Sequence, residues 1–243
     1  MDSALLQIRG LTKKFGSVTA VDDLSFDVRG GEIVGLLGPN GAGKTTTIRC
    51  IASILKPTKG TAIVNGHDVR TETSLAKKHF AYVPEVPSVF DMLTVMEHLR
   101  FVAAAFGSQD RLSQAQEILE RLDMWDKRTK LGSGLSKGMK QKLACACALI
   151  HDATVLCLDE PWVGLDPKGV RELKDMLFEQ RAAGRAILVS THMLDTAERL
   201  CDRVVIMNQG RFIAEGSLEE LSTKTQSTST LEEMFLELTG AGI

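Results

Sequence analysis

The chain has 243 residues, of which 44% are hydrophobic and 25% charged, the balance of an ordinary soluble globular protein with room for one large domain or two small ones. Its net charge of −2 gives no basic excess, so nucleic acid is not an expected partner. No signal-like leader is visible, and the longest purely apolar run, LACACALI at 143–150, falls far short of the ~20 residues a membrane-spanning helix needs.

In chain order, residues 5–38 read as short alternating strands punctuated by Gly10, Gly16 and the pair Gly30-Gly31. The last run, Glu32 to Leu37, is continuously apolar after its first residue, as in a strand buried on both faces. Lys44 to Leu55 has helical spacing and stops before Pro57. GTAIVNG is a strand between turns, and Phe80 to Val83 is a short strand ending at Pro84. TVMEHLRFVAAAF, RLSQAQEILERLDM and SKGMKQKLACACALI, within residues 94–150, are three helical patterns with no strand among them. ATVLCLDEP then returns as a buried strand, Pro167 to Ala183 as a helix, RAILVSTH as a strand ending at His192, and residues 203–216 as a strand pair turning at Asn208–Gly210. This order predicts an α/β fold: a mainly parallel sheet, an antiparallel N-terminal β-subdomain and an inserted helical subdomain. Five cysteines (Cys50, Cys145, Cys147, Cys157, Cys201) show no C-x-x-C spacing or histidine cluster, and four lie in apolar runs. They read as buried reduced thiols of a cytosolic protein. Residues 222–230 are polar and unpatterned, which suits a linker. Leu231, Met234, Phe235 and Leu238 then form one apolar face of a short helix, which docks on its own domain or contacts a second chain.

The segment Gly38-Pro39-Asn40-Gly41-Ala42-Gly43-Lys44-Thr45 fits G-x-x-x-x-G-K-[ST] between a predicted strand and a predicted helix, the context that motif requires. Glycines let successive backbone N–H groups converge on a phosphate that side chains would exclude. The following helix, opening Lys44-Thr45-Thr46, adds its positive N-terminus. Lys44 supplies a point charge for the outer phosphates, and the Thr45 hydroxyl is a Mg²⁺ ligand of the kind this loop provides. The loop is therefore expected to hold a nucleoside triphosphate.

Two further strand ends point to the same place. Asp159 closes the strand VLCLD, where a carboxylate can hold Mg²⁺ directly or through water. Glu160 follows and can orient and deprotonate a water for in-line attack. Such a pair could instead cap a helix, but Pro161 and the loop WVGLD come next. His192 closes another apolar strand, where sheet order would bring it beside the terminal phosphate.

These residues together resemble the ATP-binding cassette (ABC) ATPases, over about residues 5–215. The most particular mark is LSKGMKQKL at 135–143, similar to the family's LSGGQ signature: Ser136 and Gly138 match, while Lys137 and Met139 depart from it. The resemblance implies a P-loop NTPase core at 1–221, with a helical subdomain at about 86–150 and a linker and short amphipathic helix at 222–243. It implies that ATP and Mg²⁺ are bound, with two subunits paired head to tail so that Ser136–Met139 of one close over the ATP of the other. The pair is expected to be a homodimer, with a heterodimer as the other possibility. Phe15 would stack on adenine, and Asp166, in GLDP, would communicate across the dimer. Glu85 stands where the family has a glutamine that touches both Mg²⁺ and the membrane partner. The departures resemble the exporter branch that includes antibiotic-efflux and ABC-2-type subunits. The expectation is an ATP-hydrolysing subunit of an ABC transporter of exporter type, held peripherally on the cytoplasmic face of the membrane by a separate transmembrane permease; the alternative is a soluble single-cassette ATPase, for example in cofactor assembly.

Overall fold

The computed structural model describes residues 4–225 and 230–239. The chain begins with β1 (Ala4–Phe15), β2 (Val18–Arg29) and β3 (Glu32–Leu37), then α1 (Lys44–Ile51). Next come β4 (Lys59–Val64), β5 (His67–Asp68), α2 (Thr73–Lys78) and β6 (Phe80–Val83). The helical insertion contributes α3 (Val95–Phe106), α4 (Ala115–Arg121) and α5 (Lys137–His151). β7 (Val155–Asp159), α6 (Pro167–Ala182), β8 (Ala186–Thr191), α7 (Leu194–Leu200), β9 (Arg203–Asn208) and β10 (Arg211–Gly216) follow. α8 (Leu218–Thr225) and α9 (Leu231–Thr239) close the chain.

Two sheets share the strands. One is antiparallel, in the order β2-β1-β4-β5; the other has the order β10-β9-β3-β8-β7-β6 and is parallel except at β10. β3 thus leaves the N-terminal strands for the parallel sheet, as its two-sided burial requires, and β4 completes the antiparallel one. One core joins the helical insertion to the parallel sheet through Leu99, Leu119, Leu143, Leu156 and Ile187. A second lies around α1 between the sheets, with Ile8, Val34, Ile48 and Leu188.

Local chemistry explains where elements start and stop. α3 begins at a capping box, in which Thr94 Oγ1 accepts from Glu97 N–H while Glu97 accepts from Thr94 N–H. α1 ends at Ile51, four residues before the Leu55 expected from its pattern. Ser53 turns left-handed at φ +57°, and the N–H groups of Ile54 and Leu55 both reach back to Arg49 O, closing the turn before the proline. Two short helices, α2 and α7, occupy stretches where sequence pattern suggests no element. The second expected insertion helix is split, since residues Gln109–Gln114 wind as a 3₁₀ turn before α4.

The polar run expected as a linker from residue 222 instead continues α8 to Thr225. Ser217 starts that helix: its hydroxyl accepts from Glu220 N–H and its own N–H donates to Glu220 Oε2. Thr223 Oγ1 then bonds back to Glu219 O. Residues 226–229 of that run lie outside the described residues.

α9 packs on its own chain. Leu231 and Met234 are buried with Leu37, Ala197, Ile206 and Leu221, and Phe235 and Leu238 rest against them. Glu198 of α7 accepts from Leu231 N–H at 3.3 Å, and Asn208 Nδ2 donates to Thr239 O at 3.2 Å. Because Leu37 is the last residue of β3, this helix lies behind the glycine-rich loop. Leu231→Ala is expected to cost about 2–5 kcal/mol and to lower the melting midpoint by roughly 5–15 °C. An unchanged thermal melt would mean that α9 is not seated on this core.

Candidate functional site

The site is built by register. In the parallel sheet Leu37 pairs with Thr191 and Asp159 pairs with Ser190. Three strands therefore end side by side, and the segments leaving them share one carboxyl edge, where open α/β sheets form their crevice. The glycine-rich loop leaves β3, Glu160 leaves β7, and His192 leaves β8.

A pocket of roughly 460 Å³ opens there, lined by Ala20, Asn40–Thr46, Glu85, Glu160 and His192. Gly43 bends the loop into the helix at φ +105°, and a Cβ there would stand 2.5 Å from Ala20 O. Only glycine fits that conformation and that approach. α1 has no side-chain cap and no acidic residue in its first turn, so its N-terminus keeps the positive partial charge that attracts an anion. Lys44 is buried, with Nζ donating to Gly38 O at 2.6 Å and Pro39 O at 3.2 Å. Burial lowers its pKa, while the charges of Glu160, Asp159 and Glu85 act in the opposite sense. The ammonium therefore sits in the field of three carboxylates and lines the pocket with the loop residues.

The carboxylates are arranged unequally. Asp159 is 1% exposed, and its Oδ1 accepts from Thr45 Oγ1 at 3.2 Å and from the Ser190 hydroxyl. Glu160 takes a left-handed backbone, φ +47°; its N–H donates to Ser190 O at 3.0 Å. Glu160 Oε1 lies 2.9 Å from His192 Nδ1, and because a carboxylate accepts, that nitrogen carries the proton. The buried second oxygens, Asp159 Oδ2 and Glu160 Oε2, have no hydrogen-bond partner among the described residues. A buried carboxylate oxygen without a donor is costly in water-free surroundings. These two oxygens, with the Thr45 hydroxyl and Glu85 close by, have the hard-oxygen chemistry that suits Mg²⁺ and its waters.

The other residues singled out in the sequence stand outside this pocket. Phe15 ends β1 with its ring half-exposed and Lys13 Nζ 4.8 Å from the centroid. Ser136 caps α5, accepting from Met139 N–H at 3.3 Å, and Lys137 is exposed in the first turn. Gly138 is pressed against the loop after β7, since a Cβ on it would meet Gly164 O at 2.2 Å. Asp166 caps α6 by accepting from Gly169 N–H at 3.3 Å. The Lys142 ammonium, 3.4 Å away on α5, holds the Asp166 carboxyl below its ordinary pKa. Ser136–Met139 and Asp166 are thus joined to each other.

A second cavity, roughly 400 Å³, runs between the sheet core and the helical insertion, with Pro87, Phe90, Phe101, Phe106 and Leu143 among its walls. Phe90 is 56% exposed and Phe101 52%, and their rings meet edge to face at 5.3 Å. His98 fixes the entrance: Phe90 N–H donates to its Nε2 at 2.9 Å, and its Nδ1 lies 2.7 Å from Thr94 O. Pro84 lines this groove and Glu85, the next residue, lines the pocket at the glycine-rich loop. Ser190 and this aromatic groove were not singled out from the sequence; a serine inside an apolar strand has no local signal, and the groove's aromatic residues come from separate segments.

Comparison with known proteins points to one family. A family model described as "ABC transporter" matches residues 21–163. The chain is 36% identical over 239 residues to "ABC-type transporter ATP-binding protein EcsA" of Bacillus subtilis, covering 97% of each. It is 38% identical over 219 residues to "Nod factor export ATP-binding protein I" of Burkholderia lata, covering 89% of this chain and 72% of that one. It is 36% identical over 240 residues to "Probable multidrug ABC transporter ATP-binding protein YbhF" of Escherichia coli, 96% of this chain but 41% of that one. Among solved structures, "Structure of ATP binding subunit of ABC transporter" superposes with a TM-score of 0.93 at 36% identity, covering 96% of this chain and 99% of that chain.

Lys44→Ala is expected to weaken nucleoside triphosphate binding by about 10–100-fold, the loss of one or two charge-assisted hydrogen bonds. Titration with a fluorescent triphosphate reads it. Unchanged affinity would remove Lys44 from the phosphate site.

Proposed function

Because the chain belongs to the ABC transporter family, we propose that it is the ATP-binding and ATP-hydrolysing subunit of an exporter-type transporter, working on a separate membrane-embedded partner. The observation that carries this reading is the pair of buried carboxylates, each with one oxygen unpartnered: Glu160 lines the pocket formed by the glycine-rich loop, and Asp159 accepts from Thr45 of that loop's helix.

In this reading the residues 38–46 and Lys44 hold the phosphates of ATP, and Phe15 takes the adenine. Thr45, Asp159 and Glu85 would hold Mg²⁺, which when bound neutralises charge on the outer phosphates. Glu160 accepts a proton from the attacking water. His192 keeps the Glu160 side chain turned toward that water through the 2.9 Å contact and faces the terminal phosphate. No step needs a covalent bond to the protein; the catalysis is positioning and electrostatics.

Ser136–Met139 do not line this chain's own pocket, which supports a head-to-tail pair in which they complete the site of a second cassette. Asp166, tied to α5 through Lys142, would carry the state of one site to the other. Among the described residues no helix is long and apolar enough to cross a membrane, so translocation falls to the partner. The exposed aromatic groove beside Glu85 is suited to an apolar cytoplasmic helix of that partner, and the Pro84-Glu85 step would link its movement to the phosphate pocket. The chain would then be peripheral on the cytoplasmic face. The export direction rests on relatives named for multidrug transport and Nod factor export.

Glu160→Gln is expected to keep ATP affinity within about twofold while slowing phosphate release by about 10²–10⁴-fold, the usual worth of a general base. Wild-type turnover by this variant would refute the assignment. The transport reading is tested by mild-detergent capture of tagged full-length chain from its native membranes. A multispanning membrane protein in near-equal amount is expected; only soluble companions would overturn it.

A further inference from the structure

β8 ends at Thr191, which is flanked by Ser190 inside the strand and His192 just after it. Both reach across to the end of β7. His192 meets the Glu160 side chain, at Oε1. Ser190 meets its backbone: Glu160 N–H points at both Ser190 O, 3.0 Å, and Ser190 Oγ, 3.3 Å. The same hydroxyl donates to Asp159 Oδ1. Ser190 is fully buried, so water does not compete for these bonds.

Two features meet at Ser190. The first is the left-handed backbone of Glu160, φ +47°, which a non-glycine residue keeps only where its surroundings enforce it. The second is the rotation of the Asp159 carboxylate. With Thr45 and Ser190 both donating to Oδ1, Oδ2 is the oxygen left without a partner.

We propose that Ser190 is a positioning residue for ATP hydrolysis: its hydroxyl orients Asp159 and seats the Glu160 backbone, so that one oxygen of each carboxylate stays available to the metal and the attacking water. This rests on the ATPase reading above and adds a residue to it. Ser190 acts through Asp159 and Glu160 and itself touches neither substrate nor metal. Outer partners of this kind are typically worth 10–100-fold in metal affinity or activity.

The test compares wild type, Ser190→Ala and Ser190→Thr as full chains. For Ser190→Ala, kcat is expected to fall about 10–100-fold with KM for ATP within about twofold. Mn²⁺ affinity, read by electron paramagnetic resonance with a non-hydrolysable ATP analogue present, is expected to weaken by about tenfold or more. Ser190→Thr, which keeps the hydroxyl, is expected to restore both. Wild-type kcat and Mn²⁺ affinity in Ser190→Ala would overturn the proposal. So would parallel losses of kcat, ATP affinity and thermal stability, which mark a merely structural role. If Ser190→Ala does not fold, Ser190→Cys, which keeps the size but weakens the donor, is read in the same assays: reduced kcat and Mn²⁺ affinity are expected, and wild-type values overturn the proposal. A wild-type chain that binds Mn²⁺ with nucleotide but releases no phosphate would instead defeat the ATPase reading and leave the Ser190 geometry standing.

Discussion

Everything at the site depends on three parallel strands that end in register. Hydrogen bonding between β3, β8 and β7 places Leu37 beside Thr191 and Ser190 beside Asp159. Residues separated by more than a hundred positions in sequence therefore emerge within hydrogen-bond reach of one another. Thr45 touches Asp159, and His192 touches Glu160, because the ladder sets the height of each strand end. A slip of one residue in any strand would also turn its side chains to the other face. The continuous apolar runs of β3, β7 and β8, buried on both faces, hold that register from above and below.

The second constraint is charge. Asp159, Glu160 and Lys44 are all buried, and burying any of them alone is expensive. Their mutual attraction, the hydroxyls of Thr45 and Ser190, and the loop carbonyls under Lys44 offset much of that cost. The compensation is incomplete, since two carboxylate oxygens have no donor. Such a deficit is usual where a protein holds polar groups ready for a ligand.

The pocket is also wired to two other surfaces. The step from Pro84 to Glu85 passes from the aromatic groove to the pocket at the glycine-rich loop within one residue, and His98 holds the Phe90 amide in the groove wall. On the other side, the close contact of Gly138 with Gly164 and the Lys142–Asp166 pair join the start of α5 to the start of α6. A shift of the helical insertion would therefore be felt at the loop that follows Glu160, while α9 braces β3 from behind.

Much of this was legible in the sequence because it is local. The glycine loop, its lysine and threonine, and the acidic pair after an apolar strand are contiguous, and the backbone geometry that gives them their chemistry is set by neighbouring residues. Element types were legible for the same reason, through period and turn residues. What was not legible is non-local or depends on a single bond. The early end of α1 follows from a left-handed Ser53, α8 persists past residue 222 because of the Ser217–Glu220 cap, and α9 chooses its own domain because Leu37, Ala197 and Ile206 offer it an apolar seat. Ser190 is the clearest case. Its residue type and its strand were visible, but its partners lie 30 and 31 positions away, and only the pairing of β7 with β8 brings them to it, because strand register is a property of the assembled sheet and not of either strand alone.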